Sequence, residues 1–279
     1  MRKIFLLFIN TLLILSCKIS ILQKNKPITT KYREKNPIEI LKIESLNGNI
    51  DLIGWSNNLI EIETNKLITS GFKNDIKLLD TLFIKNEKEL TITTKIPERV
   101  KGIINLKIYI PYMLLKIYIS SQKGDINISK YLGDIEIKQI RGNANINFYG
   151  NILRLESEKS KINLNIWSFN SSDIIIINKD GNTKVKVDEI GYSSFIDIKS
   201  INGDIDFSIS DETSCQFTAI NQNKININFE FNEVSSLKNK YNYITGTKLK
   251  NKNKCLFEIS NLNGKINLRD FKKQKNILF

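Results

Sequence analysis

Hydrophobic and polar residues alternate in short runs along most of the chain. The stretch IEILKIES begins the pattern, and NGNIDLIGW, ELTITTK and INLKIYIP repeat it. Alternation with a period of two predicts β-strands that bury one face and expose the other. Residues 71–82, GFKNDIKLLDTL, are the one candidate for a short helix, and an edge strand is the alternative there.

A nine-residue spacing organises the middle of the chain. Gly124, Gly133 and Gly142 begin successive units, and Asn151 and Ser160 continue the spacing. Apolar residues stand at the second and fourth positions after each start, and polar residues separate them. Since Gly and Asn tolerate a left-handed backbone, each unit is predicted to be one turn followed by one strand.

Longer units continue the repeat in the second half of the chain, in DGNTKVKV, NGDIDFSI, QNKININF and NGKINL. A sustained period of short strands and turns is typical of folds in which repeats stack on one another. We therefore predict an all-β fold, a two-sheet β-solenoid or flattened β-helix of stacked short strands, with about 18–22 residues per rung.

Carboxylates follow several of the repeat glycines, at Asp125, Asp134 and Asp204. Such a row suggests calcium binding or glycosidic-bond cleavage, but Asn and Lys fill the equivalent positions elsewhere. A catalytic or metal site is confined to a few residues, whereas turn-flanking residues vary in this way. We therefore predict that these carboxylates stabilise turns.

Two other sets of polar and aromatic residues are predicted to lie on the surface. Trp55 and Trp167 are predicted to be partly buried corner residues, with sugar-stacking platforms as the alternative. The outward asparagines are predicted to stack in rows or to form a polar binding face, and both interpretations stay open. These asparagines are Asn127, Asn143, Asn145, Asn147, Asn163 and Asn165.

Composition restricts the chemistry further. The chain of 279 residues contains no histidine, which excludes a Ser-His-Asp triad and any zinc site that uses histidine. The formal net charge is +13, but lysines and carboxylates are mixed along the chain, which favours a generally basic surface over a specific anion site. We predict no catalytic residue, no metal and no cofactor, and we expect that the protein is not an enzyme.

The first seventeen residues, MRKIFLLFINTLLILSC, predict a signal peptide that ends in a lipobox. Arg2 and Lys3 precede an apolar stretch too short to span a bilayer permanently, and Ser16 is the small residue before Cys17. Cys17 is predicted to carry a diacylglyceryl thioether that anchors the exported protein in the membrane. An unmodified signal peptide is the alternative. The residues after Cys17 favour the outer membrane or the cell surface.

The predicted boundaries follow from these segments. Residues 1–16 are the signal peptide, 17–37 the lipidated cysteine and a tether, 38–270 the β-solenoid domain, and 271–279 a C-terminal tail. With Cys17 lipidated, Cys215 and Cys255 remain as an even pair. Two interpretations of this pair stay open: one disulfide bond between them, or two separate buried thiols.

Residues 232–254 interrupt the repeat with a basic, tyrosine-containing segment. This segment is predicted to be a loop that contacts a protein or an anionic glycan, and a solvated loop is the alternative. Nucleic acid is not expected as a partner of an exported protein, and the oligomeric state is left open. The candidate contact residues are Lys240, Tyr241, Tyr243, Lys248 and Lys250.

Several of these motifs together resemble the bacterial putative-adhesin β-repeat domain family. The stretches are LNGNIDLIGW, IYIPYMLLKIYISSQKGDINI with its hinge at Pro111, and the later GDIEI, NGDIDF and NGKINL, over roughly residues 38–270. Ser160 and Asn223 depart from the pattern because they replace glycine. The resemblance implies an exported or membrane-attached domain with a right-handed β-solenoid-like fold, and it implies no catalytic residues.

We therefore expect a lipid-anchored, non-enzymatic cell-envelope protein with an adhesin-like binding role or a structural role. The alternatives are a carbohydrate-active β-helix and a self-associating envelope scaffold.

Overall fold

The computed structural model describes residues 27–70, 73–112, 116–168, 171–223, 227–232, 234–240, 242–248 and 255–272. These residues form 21 β-strands and one short 3-10 helix, Lys73–Leu78, so the predicted all-β class is confirmed. The described part of the chain contains no helix with the length and apolar character needed to span a bilayer. Cys17 and the predicted signal peptide lie outside the described residues.

The strands pair in two rows within one open sheet. In order of pairing, the first row is β5 (Asp80–Asn86), β6 (Glu89–Lys95), β2 (Ile40–Ser45), β8 (Lys116–Lys123), β10 (Asp134–Phe148), β11 (Ile152–Trp167), β12 (Asp173–Asp180), β14 (Phe195–Asn202), β20 (Cys255–Asn261), β16 (Cys215–Asn221), β19 (Tyr243–Lys248) and β18 (Val234–Lys240).

The second row is β1 (Ile28–Glu34), β4 (Ile60–Ser70), β7 (Lys101–Pro111), β3 (Ile50–Trp55), β9 (Ile126–Tyr131), the later halves of β10 and β11, β13 (Thr183–Glu189), β15 (Ile205–Ser210), β21 (Ile266–Phe271) and β17 (Ile227–Glu230). The long strands β10 and β11 run through both rows and so join them into a single sheet.

Parallel pairing recurs at intervals close to the predicted repeat length. Ile135 of β10 pairs with Leu153 of β11, which lies 18 residues later. Asp173 of β12 pairs with Phe195 of β14, which lies 22 residues later. The inward residues of both rows form one continuous hydrophobic core, dominated by isoleucine and leucine. A shift of one residue in any pair would turn these side chains toward solvent, so burial fixes the register.

Glycines make a column of close backbone contacts at the corner where the two rows meet. Gly124 and Gly142 have φ angles of +135° and +139°, which L side chains rarely adopt. A Cβ added to Gly142 would lie 2.0 Å from the carbonyl oxygen of Gly124, and one added to Gly124 would lie 2.0 Å from that of Gly48. These glycines are therefore turn positions, as predicted, and they also permit the close stacking of successive corners.

Ser160 takes a glycine's place in this column without the same constraint. It pairs in register with Gly142 and is not among the described residues with a positive φ. Its hydroxyl points inward, where it donates to Oε1 of Gln139 at 3.2 Å and contacts the hydroxyl of Ser157. The departure from glycine that the sequence shows at this position is thus accommodated by a buried polar contact.

Polar side chains line the inner side of the same corner. Asn178 Nδ2 donates to the carbonyl oxygens of Ser160 and Gly181 at 3.0 and 2.9 Å, and Gln139 Nε2 donates to that of Gly124 at 2.7 Å. These amides satisfy corner carbonyls that would otherwise lose a partner. The row comprises Ser45, Ser121, Gln139, Ser157, Asn178, Ser200, Asn261 and Asn221, all buried and in register.

Two segments predicted to be a tether and a loop contain strands. Strand β1, Ile28–Glu34, lies within the predicted tether 17–37 and pairs antiparallel with β4. Within the predicted loop 232–254, β18 and β19 form an antiparallel hairpin on β16. Residues 71–82 contain the 3-10 helix and the start of the edge strand β5, so each alternative holds for part of that segment.

Strand order also departs from chain order near the C-terminus. β20 pairs with β14 on one side and with β16 on the other. The last two strands of the chain, β20 and β21, therefore lie next to β14 and β15. The strands β16 and β17, which precede them in sequence, lie farther out.

We expect that Gly142→Ala lowers the free energy of unfolding by about 2 kcal/mol or more, because it adds an unfavourable φ and a backbone collision. Urea denaturation followed by circular dichroism measures the change. Lys161→Ala is the matched control, since Lys161 is exposed on the next strand. An unchanged midpoint in Gly142→Ala would contradict the role assigned to the glycine column.

Candidate functional site

The carboxylates that follow the repeat glycines are hydrogen-bonded to the neighbouring corners. Asp125 Oδ1 accepts the backbone N–H and the side-chain amide of Asn143 at 2.8 and 3.0 Å. Asp204 Oδ1 accepts the backbone N–H of Lys265 at 2.8 Å, and Asp134 accepts an equivalent amide of β11 at 3.1 Å. The prediction that these residues stabilise turns is confirmed.

The outward asparagines form hydrogen-bonded rows across the second row of strands. Asn127 donates to Asp51, Asn145 to Asn127 and Asn163 to Asn145, at 2.7, 2.9 and 2.8 Å. Stacking in rows, one of the two open interpretations, is therefore present. We call this set the asparagine row; in order of pairing it comprises Asp51, Asn127, Asn145, Asn163, Lys184, Asp206, Asn267 and Asn228.

Both tryptophans are half-buried and stack on a tyrosine. Trp55 lies 5.1 Å from Tyr109 between ring centroids, and its indole N–H donates to the carbonyl of Leu59 at 2.9 Å. Trp167 lies 5.4 Å from Tyr149 with nearly parallel rings. The prediction of partly buried corner residues is confirmed for both.

Trp167 belongs to a larger group on the outside of the second row, which we call the Asp188 cluster: Tyr149, Trp167, Lys186, Asp188 and Phe271. The Lys186 ammonium lies 2.6 Å from Asp188 Oδ1, 4.3 Å from the centroid of the Phe271 ring and 6.0 Å from that of Trp167. Burial raises the pKa of the Tyr149 hydroxyl, and the charge of Asp188 raises it further.

Asp188 is unusual within this cluster. It is 7% exposed although it lies on the outer side of the strand with Lys186, two residues away. Its second oxygen, Oδ2, is buried and accepts no hydrogen bond from the residues that the structure describes. A buried carboxylate oxygen without a donor is energetically costly and therefore calls for an explanation.

The sequence pattern does not show this cluster as a group, because Phe271 lies about a hundred residues from Trp167 in the chain. A bulge in the pairing of β11 with β13 places Trp167 opposite Glu189, so register counting alone does not bring Asp188 to this position. The sequence signal is an aromatic residue directly after β10, Tyr149, and one at the end of β11 and of β21, Trp167 and Phe271.

The residues of the predicted ligand-contact loop are only partly brought together. Lys240 is exposed on β18, and Tyr243 is half-buried on β19 opposite it. Tyr241 and Lys250 lie outside the described residues. Lys240 and Tyr243 therefore belong to a hairpin attached to the sheet edge.

The prediction that Lys248 contacts a ligand is wrong. Lys248 is 0% exposed, and its ammonium forms an ion pair with Asp270 at 2.5 Å and lies 5.9 Å from the Phe231 ring centroid. The lysine faces the interior because alternation along β19 buries every second residue, and Lys248 falls on the buried side. The ion pair between Lys248 and Asp270 connects the hairpin to β21.

Cys215 and Cys255 begin strands β16 and β20 and pair directly in register. Both are buried free thiols in the structure. Cys255 donates from Sγ to the carbonyl of Ser214 at 3.0 Å. The hydrogen bond with Cys215 raises the pKa of the Cys255 thiol, and burial raises it further. Cys255 therefore has little thiolate character, which disfavours nucleophilic chemistry at this thiol.

We expect that Lys248→Met lowers the free energy of unfolding by about 3 kcal/mol, because it leaves Asp270 buried without its cation. The double variant Lys248→Met/Asp270→Leu is expected to recover much of that loss, since no buried charge remains. Urea denaturation measures both, and Lys240→Met is the control because Lys240 is exposed. Equal effects of Lys248→Met and Lys240→Met would contradict the buried ion pair.

Comparison with known proteins finds similarity only among solved structures. No family model matches this sequence, and the search of curated proteins finds no match. A protein from Clostridium sporogenes described as a putative cell adhesion protein is 14% identical, with 88% of this chain and 100% of that chain covered and a TM-score of 0.46.

Two further solved structures are similar over comparable lengths. A putative adhesin from Bacteroides fragilis is 12% identical, with 88% of this chain and 97% of that chain covered and a TM-score of 0.44. A putative lipid binding protein from Parabacteroides distasonis is 11% identical, with the same shares covered and a TM-score of 0.35. The chain is thus similar to bacterial proteins described as putative adhesins, the family that its repeats resemble in sequence.

Proposed function

We propose that this chain is a lipid-anchored, non-enzymatic protein of the bacterial cell envelope that presents its outer strand faces to a binding partner. The observation that carries the proposal is the asparagine row, in which polar side chains of successive strands lie in register on the outside of a single hydrophobic core. Such a row gives a regular polar surface, because Asn127, Asn145 and Asn163 each donate to the preceding member of the row and Asn228 donates to Asn267.

The use of the carboxylates supports a binding role over a catalytic one. Asp125 and Asp204 are hydrogen-bonded to backbone amides of the adjacent strand and so are engaged in holding the corners. A glycosidase needs two carboxylates about 5 to 10 Å apart that both face the substrate. Carboxylates whose hydrogen bonds stabilise the turns have a structural role, and this use favours a binding protein over a glycosidase.

The finer fold that we propose is a flattened β-solenoid. Parallel pairing at intervals of 18 and 22 residues supports it, since each interval returns the chain to the next position in both rows. The glycine column supports it as well, because Gly48, Gly124 and Gly142 place equivalent corners above one another.

The proposed anchor would hold one end of this stack near the membrane. Strand β1 begins at Ile28, so ten residues separate it from Cys17. An extended linker of that length spans at most about 35 Å. The strands β1 and β5 would then face the bilayer, and the hairpin of β18 and β19 would point away from it. The outer membrane, with the protein exposed at the cell surface, is the location that fits a displayed binding face.

We expect that Cys17→Ala moves the protein from the detergent phase to the aqueous phase in a Triton X-114 separation, because the acyl chains supply the membrane affinity. Ser16→Ala is the matched control and is expected to stay in the detergent phase, since alanine is also a small residue. Proteinase treatment of intact cells is expected to degrade the unaltered protein.

Detergent-phase partitioning of Cys17→Ala would overturn the lipid anchor. Resistance to proteinase in intact cells, with degradation after lysis, would overturn display at the surface.

A further inference from the structure

We propose that the Asp188 cluster is a binding site for a neutral saccharide unit of a glycan. This inference rests on the proposed binding function and names a site and a ligand class for it. The cluster combines the aromatic rings of Tyr149, Trp167 and Phe271 with a lysine and a carboxylate on the outer side of the second row of strands.

The carboxylate supplies the first part of the argument. Asp188 Oδ1 accepts from Lys186 at 2.6 Å, while the buried Oδ2 has no donor among the described residues. A carboxylate accepts several hydrogen bonds, and one that is buried needs them. A ligand hydroxyl that reaches Oδ2 would supply the missing donor.

Lys186 supplies the second part. Its ammonium carries three N–H groups, and the carboxylate of Asp188 needs only one of them. The side chain of Lys186 is 38% exposed, so it is the member of the cluster that can move aside or turn toward a ligand at low cost. The pair therefore offers one acceptor and additional donors within a few ångströms, which matches a hydroxyl group that both donates and accepts.

The aromatic rings supply the third part. The Lys186 ammonium lies on the face of Phe271 and near that of Trp167, so these rings border the polar pair directly. Sugar rings have apolar C–H faces that pack on aromatic side chains, while hydroxyls at the ring edge need hydrogen-bonding groups. Aromatic faces beside a donor–acceptor pair suit both parts of a pyranose.

Charge separates a neutral saccharide from other ligands. Lys186 already neutralises Asp188, so the site offers little attraction to a second cation. The same ion pair leaves the site little net charge with which to attract an anion. An uncharged polyol needs no net charge on the protein, since its hydroxyls bind through hydrogen bonds.

The two tryptophans of the chain provide the test, because each gives one indole N–H signal and only Trp167 lies in the cluster. The full chain is labelled with nitrogen-15 and held in micelles of a detergent without a sugar headgroup. It is then titrated with D-glucose, D-galactose and N-acetyl-D-glucosamine. We expect a saturable shift of the Trp167 indole signal with at least one sugar. The Trp55 signal serves as the internal control and is expected to stay in place.

Variants assign the effect to the polar pair. Asp188→Asn is expected to raise the dissociation constant of the sugar about tenfold, because a hydrogen bond to a charged group is lost. Lys186→Met is expected to weaken it as well and is the second variant should Asp188→Asn unfold. Tyr109→Phe, beside Trp55, is the matched control and is expected to leave the Trp167 titration unchanged.

A Trp167 signal that moves with none of the three sugars would overturn the inference. So would a shift that is equally large in Lys186→Met and in the unaltered chain, because the sugar would then act without the polar pair. Either result leaves the proposed function standing if Cys17 still anchors the protein and proteinase still reaches it on cells. If the protein is not anchored but the Trp167 signal still shifts with sugar, the proposed function is overturned and the saccharide site stands.

Discussion

The close approach of backbones at the glycine corners is the constraint on which the rest of this structure depends. A Cβ on Gly142 would lie 2.0 Å from a carbonyl of the preceding corner, so only glycine fits there at that φ. This contact sets the corners of successive strands in line. With the corners aligned, inward apolar residues of neighbouring strands lie over one another, as Ile137 and Leu155 do, and outward polar residues lie side by side, as Asn145 and Asn163 do.

Polar residues consequently have three distinct uses in this fold. Those inside the corner, such as Asn178, satisfy buried carbonyls. Those that follow the glycines, such as Asp125, accept backbone amides of the next corner. Those on the outer face, such as Asn145, hydrogen-bond to their neighbours and remain exposed. Among these three sets of described residues, the outer set is the one whose side chains remain exposed, and the proposed binding function is assigned to the outside of the sheet for that reason.

Much of this architecture could be predicted from the sequence because a two-residue alternation and a fixed turn spacing are local signals. The strands of the nine-residue units, the turn role of Gly124 and Gly142 and the burial of their isoleucines follow from such signals. The buried polar row is an equally local signal, since Ser, Gln or Asn recurs at the inward corner position of the first-row strands from β2 to β16.

The remaining features depend on contacts between distant parts of the chain. The placement of β20 between β14 and β16 depends on long-range pairing, which alternation does not encode. Lys248 lies in a basic segment that resembles a surface loop, and its burial on β19 depends on the ion pair with Asp270 of β21, which compensates the buried charge. The Asp188 cluster was missed for the same reason, since Phe271 reaches it from the last strand.

The distance between spin labels along the asparagine row tests the central claim, stacking in register, most directly. Asp51 and Asn267 lie six strands apart in the row, which corresponds to about 29 Å at about 4.8 Å per strand. Labels at Asp51→Cys and Asn267→Cys are expected to give a narrow distribution near that distance. Labels at Asp51→Cys and Asn228→Cys are expected to lie about 5 Å farther apart, since β17 lies beyond β21. A broad distribution, or a shorter distance to Asn228 than to Asn267, would contradict the account.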